Sequence, residues 1–214
     1  MNRRSNRDTR NHRDPDRTRQ RILGAALEEF SRYGLGGARV DRIAERARAN
    51  KRMLYYYFGD KDGLFLAALE DRYAHIRSAE RSLQLEHLDP RNAVKRLVEF
   101  TWNYFLEHPE FMTLLNSENL HKGRHVKKSQ HVQQMHSPLV ETLRTVLRKG
   151  EEQGLFRKGV DPVHLYISIA GEIYFYLSNR YTLSRIFDRD LMAPRALQAR
   201  ARHISDMILN ALRR

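Results

Sequence analysis

Two apolar patterns at helical spacing, separated by a break of three residues, constrain this chain more than any other feature. Val40, Ile43, Ala44 and Ala47 make the first, and Leu54, Tyr55 and Phe58 the second. Each fits one face of a short helix. The break, Arg48-Ala49-Asn50, has about the length of the turn in a helix-turn-helix. Asn50 is a good N-cap residue, so the second helix is expected to begin there, with Lys51, Arg52 and Met53 on its first turn. A recognition helix meets base edges with that end, which makes these three the expected base readers. Three consecutive tyrosines, Tyr55, Tyr56 and Tyr57, cannot all face one core. They are expected to hold phosphates together with Arg39 and Lys61, and Arg42 suits either purpose.

Charge supports a polyanionic partner. The net charge is +13, and residues 1–61 carry +8 of it against +5 for the other 153 residues. A charge run is more often a solvated face than a binding site, but here the helix-turn-helix pattern lies inside the basic part. Residues 1–16 are polar and almost free of apolar side chains, so they are expected to be disordered in isolation. They read either as a solubilising tail or as a basic arm, Arg3, Arg4, Arg7, Arg10 and Arg13, entering the minor groove.

The helix-turn-helix residues resemble the signature of the tetracycline-repressor (TetR) family of bacterial one-component transcription regulators. Val40, Ile43, Ala44, Ala47, Leu54, Tyr55, Phe58, Lys61 and Leu64 match that signature, and Asp62 replaces its Glu. Arg39 stands where the family has a Thr or Ser cap, Arg48 where it has the turn glycine and Tyr57 where it has a His. At Arg48 a positive φ would cost about 1 kcal/mol for a residue with a Cβ. The detailed resemblance spans about Arg17 to Leu69, and the remainder is similar in length and helical layout. It implies a regulator that binds a palindromic double-stranded operator as a homodimer and is released by a small-molecule effector. In the family the last two helices of each subunit pair into a four-helix interface, which here would be residues 162–182 and 194–213.

Taken in order, the chain reads as all-α, about nine helices, because no segment alternates convincingly with period two. Helix 1 is expected from about Asp16 to Tyr33, with Ile22, Leu23, Ala26, Leu27 and Phe30 inward and Gly34 ending it. Gly34, Gly36 and Gly37 are expected to link it flexibly to the helix-turn-helix. Helix 4 starts near Asp62 and is long enough to join a head to a second domain. Proline pairs then mark helix starts, giving spans of about 91–107, 109–121, 138–153, 162–182 and 194–213. Asp89, Ser137 and Asp161 are the expected caps, and Gly154 a stop. The expected organisation is an arm over 1–16, a three-helix DNA-binding head over 17–61, and a helical ligand-binding and dimerisation domain over 62–214.

The middle helices offer a ligand chamber. Trp102, Phe105, Phe111 and Met112 supply large apolar groups, and Asn116, Glu118, Asn119, Glu172 and Tyr174 supply polar ones. For any single residue, a core or surface role is the blander account. His121, His125, His131 and His136 lie among lysines and arginines that repel a cation, so no metal is expected and the segment reads as a mobile surface connection. No cofactor is expected either. The sequence holds no Gly-rich phosphate loop, nucleophile elbow or His-Glu-x-x-His helix, which argues against an enzyme. A DNA-binding architectural protein without a signal is the alternative, but it has no use for so many further helices. No run reaches the roughly 18 apolar residues of a membrane span, and there is no apolar signal core and no cysteine. A cytoplasmic location with no membrane partner is the simplest expectation.

Overall fold

The computed structural model describes residues 15–214, apart from the side chains of Gln133 and His136. The proposed arm therefore lies, through residue 14, outside the described residues. Within them the chain forms ten α-helices. The first four are α1 (Pro15–Gly37), α2 (Val40–Arg46), α3 (Lys51–Phe58) and α4 (Lys61–Arg81). They are followed by α5 (Pro90–Glu107), α6 (Pro109–Leu120), α7 (Gln130–Glu152), α8 (Pro162–Ser178), α9 (Arg180–Ile186) and α10 (Pro194–Leu212).

Two hydrophobic clusters organise these helices. The first gathers Ile22, Ala26 and Phe30 of α1, Ile43 of α2, Leu54 of α3 and Leu64, Phe65, Ala68 and Leu69 of α4. Leu114 of α6 inserts into it. The second gathers Val94, Leu97, Val98, Trp102 and Phe105 of α5 with Leu143 and Val146 of α7, Ile169 and Ile173 of α8, and Ile204 and Ile208 of α10. Ile76 of α4 belongs to this second cluster, so one helix of 21 residues runs from one core to the other. At 1.5 Å per residue it spans about 30 Å.

Local chemistry explains the boundaries. Asp60 caps α4 by accepting from the Gly63 amide at 2.7 Å. Gly63 must lack a side chain, because a Cβ there would lie 2.1 Å from the Phe58 carbonyl oxygen. Gly154 takes φ +68 just past the end of α7, as expected of a stop.

Three expectations about helices need correction. Gly34 breaks helical geometry at φ 62, ψ −178, but the chain makes a further turn to Gly37 instead of a flexible link. Helix 138–153 starts eight residues earlier: Ser129, not Ser137, is the cap and accepts from the Val132 amide, leaving Pro138 inside α7. The expected helix 162–182 divides into α8 and α9 at Asn179, which raised the count from nine to ten. The Asn179 side-chain amide donates to the Phe175 carbonyl at 2.9 Å, the local competition for backbone acceptors that disfavours Asn inside helices.

Candidate nucleic-acid interface and ligand chamber

The N-terminal turn of α3 is built as its residue pattern requires. Asn50 Oδ1 accepts from the Arg52 amide at 2.8 Å, occupying one of the donors left free at a helix start. Leu54 is fully buried and anchors the helix. Lys51 and Arg52 are exposed on the first turn, while Met53 is partly buried against the head core. Tyr56 is 78% exposed and Tyr55 42%, whereas Tyr57 packs partly against that core. The expected sharing of the three tyrosines between core and solvent is what the helix shows. Lys51 Nζ lies 2.7 Å from Asp41 Oδ1, which raises the Lys51 pKa and lowers that of Asp41.

Two other cations have structural work at home. Arg42 donates from Nε to Glu29 Oε1 at 2.6 Å and from Nη2 to the Gly37 carbonyl, and its guanidinium lies 4.2 Å from the Tyr33 ring centroid. Lys61 Nζ donates to the carbonyls of Leu35 and Ala38 at 2.8 and 3.2 Å, closing the C-terminal end of α1. Arg39 is exposed. It supplies no side-chain cap to α2, but its amide donates to Glu29 Oε1 at 3.0 Å. Glu29 thus takes the N-cap amide from another helix, the part a carboxylate plays in a capping box, while α2 has no side-chain cap. Arg46 Nη1 approaches the same carboxylate at 3.4 Å. Burial pushes the Glu29 carboxyl up, but the bonds from Arg42 and Arg39 and the charges of Arg42 and Arg46 hold it below its ordinary value. Arg48, in the turn, takes φ 47, the left-handed conformation anticipated where the signature has glycine.

The nine expected chamber residues are divided among buried, partly buried and exposed positions, and Met112 and Asn116 line one cavity together. Trp102, Phe105, Phe111 and Met112 are buried in the second core, with Phe105 and Phe111 stacked at 5.9 Å. Asn116 and Asn119 are exposed, and Asn116 accepts from the Tyr174 hydroxyl. Glu172 pairs with Arg200 at 2.7 Å. Glu118 is buried and fully used: its carboxylate accepts from the amides of His125 and Val126 and from His125 Nδ1. His125 is buried as well, so residues 121–129 are a packed connection and not the loose surface segment expected. That connection is fastened to α4: Arg124 Nη2 lies 2.8 Å from Asp62 Oδ2, and Ser129 Oγ donates to Glu70.

A different cavity, of about 260 Å³, lies between α4, α7 and the turn Leu85–His87. Arg77, Glu80, Met135, Pro138, Leu139 and Thr142 contribute to its wall. Sequence reasoning missed Arg77 and Glu80. The signal was present, since Leu69, Tyr73, Ile76 and Glu80 continue one face of α4 at three- and four-residue spacing. A charged residue at the end of an apolar stripe is the mark of a buried polar site.

Comparison with known proteins agrees with this architecture. Residues 22–68 match the family model described as bacterial regulatory proteins, tetR family, and residues 90–208 match a tetracyclin repressor-like C-terminal domain. The chain is 44% identical over 199 residues to the HTH-type transcriptional repressor NicS of Pseudomonas putida, covering 93% of this chain and 94% of NicS. It is 40% identical over 111 residues to the HTH-type transcriptional repressor SCO4008 of Streptomyces coelicolor, 52% of this chain and 54% of that protein. Among solved structures, SCO4942 of Streptomyces coelicolor superposes with a TM-score of 0.66 at 26% identity, over 91% of this chain and 98% of that one. FadR of Bacillus subtilis, solved with stearoyl-CoA, shares the fold at the same TM-score and 14% identity, over 91% and 99% of the two chains. The chain belongs to the TetR family of bacterial regulatory proteins.

Proposed function

We infer that this protein is a ligand-responsive DNA-binding transcriptional regulator, a repressor by its likeness to NicS. The observation that carries the reading is the exposed first turn of α3, with Lys51 and Arg52 presented to solvent on a helix anchored by Leu54. In this proposal residues 17–61 form the reading head and 62–214 the ligand-binding and dimerisation body. Lys51, Arg52 and Met53 face base edges. Arg39, Tyr55 and Tyr56 hold phosphates, with Tyr57 at the margin of the core. Arg42 and Lys61 act by holding α2 and α1 in place, since their side chains are already engaged.

Dimerisation through α8 completes the proposal. Val163, Ile167 and Phe175 are exposed at four- and eight-residue spacings on one face, with Gly171 between them. Such a stripe on a helix is costly to leave wet, and the outer face of α10 is polar by contrast, with Arg202, His203 and Asp206 exposed. A symmetric pair of heads then reads an inverted repeat whose half-sites lie about 34–36 Å apart or a multiple of that. Selecting bound sequences from a random DNA pool, followed by footprinting, tests the reading: a two-fold symmetric protected site supports it, and an asymmetric one contradicts it. Signal transmission rests on α4, which joins the two cores and to which Arg124 and Ser129 fasten the connection after α6. Operator and effector then weaken each other's binding by one common factor, typically a coupling of about 1–3 kcal/mol.

A further inference from the structure

A groove on the head, beside the first turn of α3, gathers arginines from two elements. It measures about 480 Å³ and runs between α1 and the end of α2 with the turn that follows. Arg17, Arg21, Arg46 and Arg48 stand on its wall with a single carboxylate, Glu28, and all five are exposed. Glu28 is already taken by Arg46 at 3.3 Å, and Arg46 also reaches the buried Glu29. No salt bridge among the described residues joins Arg17, Arg21 or Arg48 to a carboxylate. Arg21 donates instead to the Thr18 hydroxyl at 3.4 Å. Arg42, Lys51 and Lys61, by contrast, are engaged with groups of the head. Like charges gathered without an anion repel one another and work against the fold. Two more residues of the same groove lack an internal reason. Arg48 holds φ 47, which glycine adopts more readily than a residue with a Cβ. Gly24 is exposed inside α1, where alanine is the better helix former, and a Cβ there would meet nothing within 4 Å.

We propose that this groove holds a stretch of the operator's sugar–phosphate backbone beside the major groove that α3 enters, with Arg17, Arg21 and Arg48 as its phosphate contacts. Continuity with the reading turn places it there. Arg48 precedes Lys51 by three residues, so their Cα atoms lie at most about 11 Å apart. The major groove is about 12 Å wide, and a helix lying in it therefore has a phosphate strand close on either side. The guanidinium fork suits the occupant, because it can give two parallel hydrogen bonds to one phosphate. Arg17 and Arg21 are one helical turn apart, about 6 Å along α1, and Arg48 comes from a separate element. That spread fits consecutive phosphates of one strand and exceeds what a single small anion would use. Gly24 keeps its part of the wall free of a side chain, so the strand can approach α1 closely. Such contacts carry no base information; they raise affinity for every sequence and hold α3 in register.

This assignment rests on the DNA-binding reading above, and the test separates the two. Full-length protein is titrated by fluorescence anisotropy against the selected operator and a scrambled duplex over a series of salt concentrations. Three variants are compared with it: Arg17→Gln/Arg21→Gln, Arg48→Gly and Gly24→Glu. All four positions are exposed, so none of the variants is expected to lower Tm by more than about 2 °C. The plot of log affinity against log salt is expected to flatten by about 2 in the double variant and about 1 in Arg48→Gly. Affinity for the two duplexes should fall by one common factor. Gly24→Glu removes no cation but sets a negative charge in the groove, and it too should weaken both duplexes equally. Slopes and affinities unchanged in the double variant would overturn the groove and leave a solvated face. A loss confined to the operator would overturn it as well, since it would make these arginines base readers. If the unsubstituted protein did not prefer the selected duplex, the regulator reading would fail, while the slopes on the scrambled duplex would still decide the groove. Unchanged slopes in a protein that does discriminate would overturn the groove alone.

Discussion

Glu29 in the head and Glu80 in the body are both buried carboxylates facing arginine, yet their surroundings drive them in opposite directions. Glu29 receives the Arg39 amide and Arg42, with Arg46 beside it, and its pKa falls below the ordinary value. Glu80 has Arg77 alone at close range, makes no well-formed hydrogen bond among the described residues, and is pushed up to about 7. The first is a finished joint: it accepts the Arg39 amide at the start of α2 and ties the helix-turn-helix to α1. The second is an open one: atoms of both partners are buried without a well-formed hydrogen bond among the described residues. In the reading proposed above, a rigid head fixes the geometry that DNA reads and an adjustable body lets an effector alter where the head sits.

The contrast predicts effects of different size. Removing Glu29 as Glu29→Ala leaves the Arg42 guanidinium and the Arg39 amide without their acceptor, and breaking such a buried pair costs about 3–5 kcal/mol. Tm should fall by roughly 6–20 °C, read by calorimetry. A loss below about 1 kcal/mol would show that the joint is dispensable and dissolve the comparison.

The pH dependence comes next in size. Glu80 titrates near 7 when folded and at 4.5 as an ordinary carboxyl, so the folded state binds its proton more tightly. The stability this supplies is complete below about 4.5 and is lost as pH rises through 7, a fall of order 3 kcal/mol with the opposing charge of Arg77 already included. Glu29 has the opposite sign: its contribution is present above its ordinary value and is lost as pH falls through its lowered folded pKa. Urea melts from pH 4.5 to 8 should show the Glu80 slope in the unsubstituted protein and its removal in Glu80→Gln. A slope unchanged by that substitution would assign it to other groups.

The smallest effect belongs to the turn of the head. Arg48 holds φ 47, and Arg48→Gly removes the strain of a Cβ there at some cost in unfolded-state entropy. A gain of up to about 1 kcal/mol, or about 2–4 °C in Tm, is expected. A destabilised glycine variant would mean that the Arg48 side chain makes a contact worth more than the strain.

The head was far more legible in the sequence than the body, and the reason is physical. A helix-turn-helix is set by local rules: Asn50 as a cap, Leu54 as an anchor, and a left-handed turn at Arg48 are all encoded within a few residues. Pro162, Asp89 and Gly154 likewise announce helix ends by local chemistry. Pro138 misled because a proline suits either a first turn or a tolerated interior position, and Ser129, nine residues earlier, is the cap that α7 uses. The chamber was harder still. Glu118 looked like a ligand group until its three hydrogen bonds to His125 and Val126 placed it in the frame of the connection. Arg77 and Glu80 acquire their meaning from α7 and Tyr166, which lie more than fifty residues away in the chain.

The most direct test of the account is whether the exposed turn of α3 reads sequence. Unsubstituted protein and Arg52→Ala are titrated by fluorescence anisotropy against the selected operator and a scrambled duplex of equal length, at one salt concentration. The account predicts that Arg52→Ala loses about 1–3 kcal/mol on the operator while its binding to the scrambled duplex is much less affected. Equal weakening on both duplexes, or none on the operator, would contradict it.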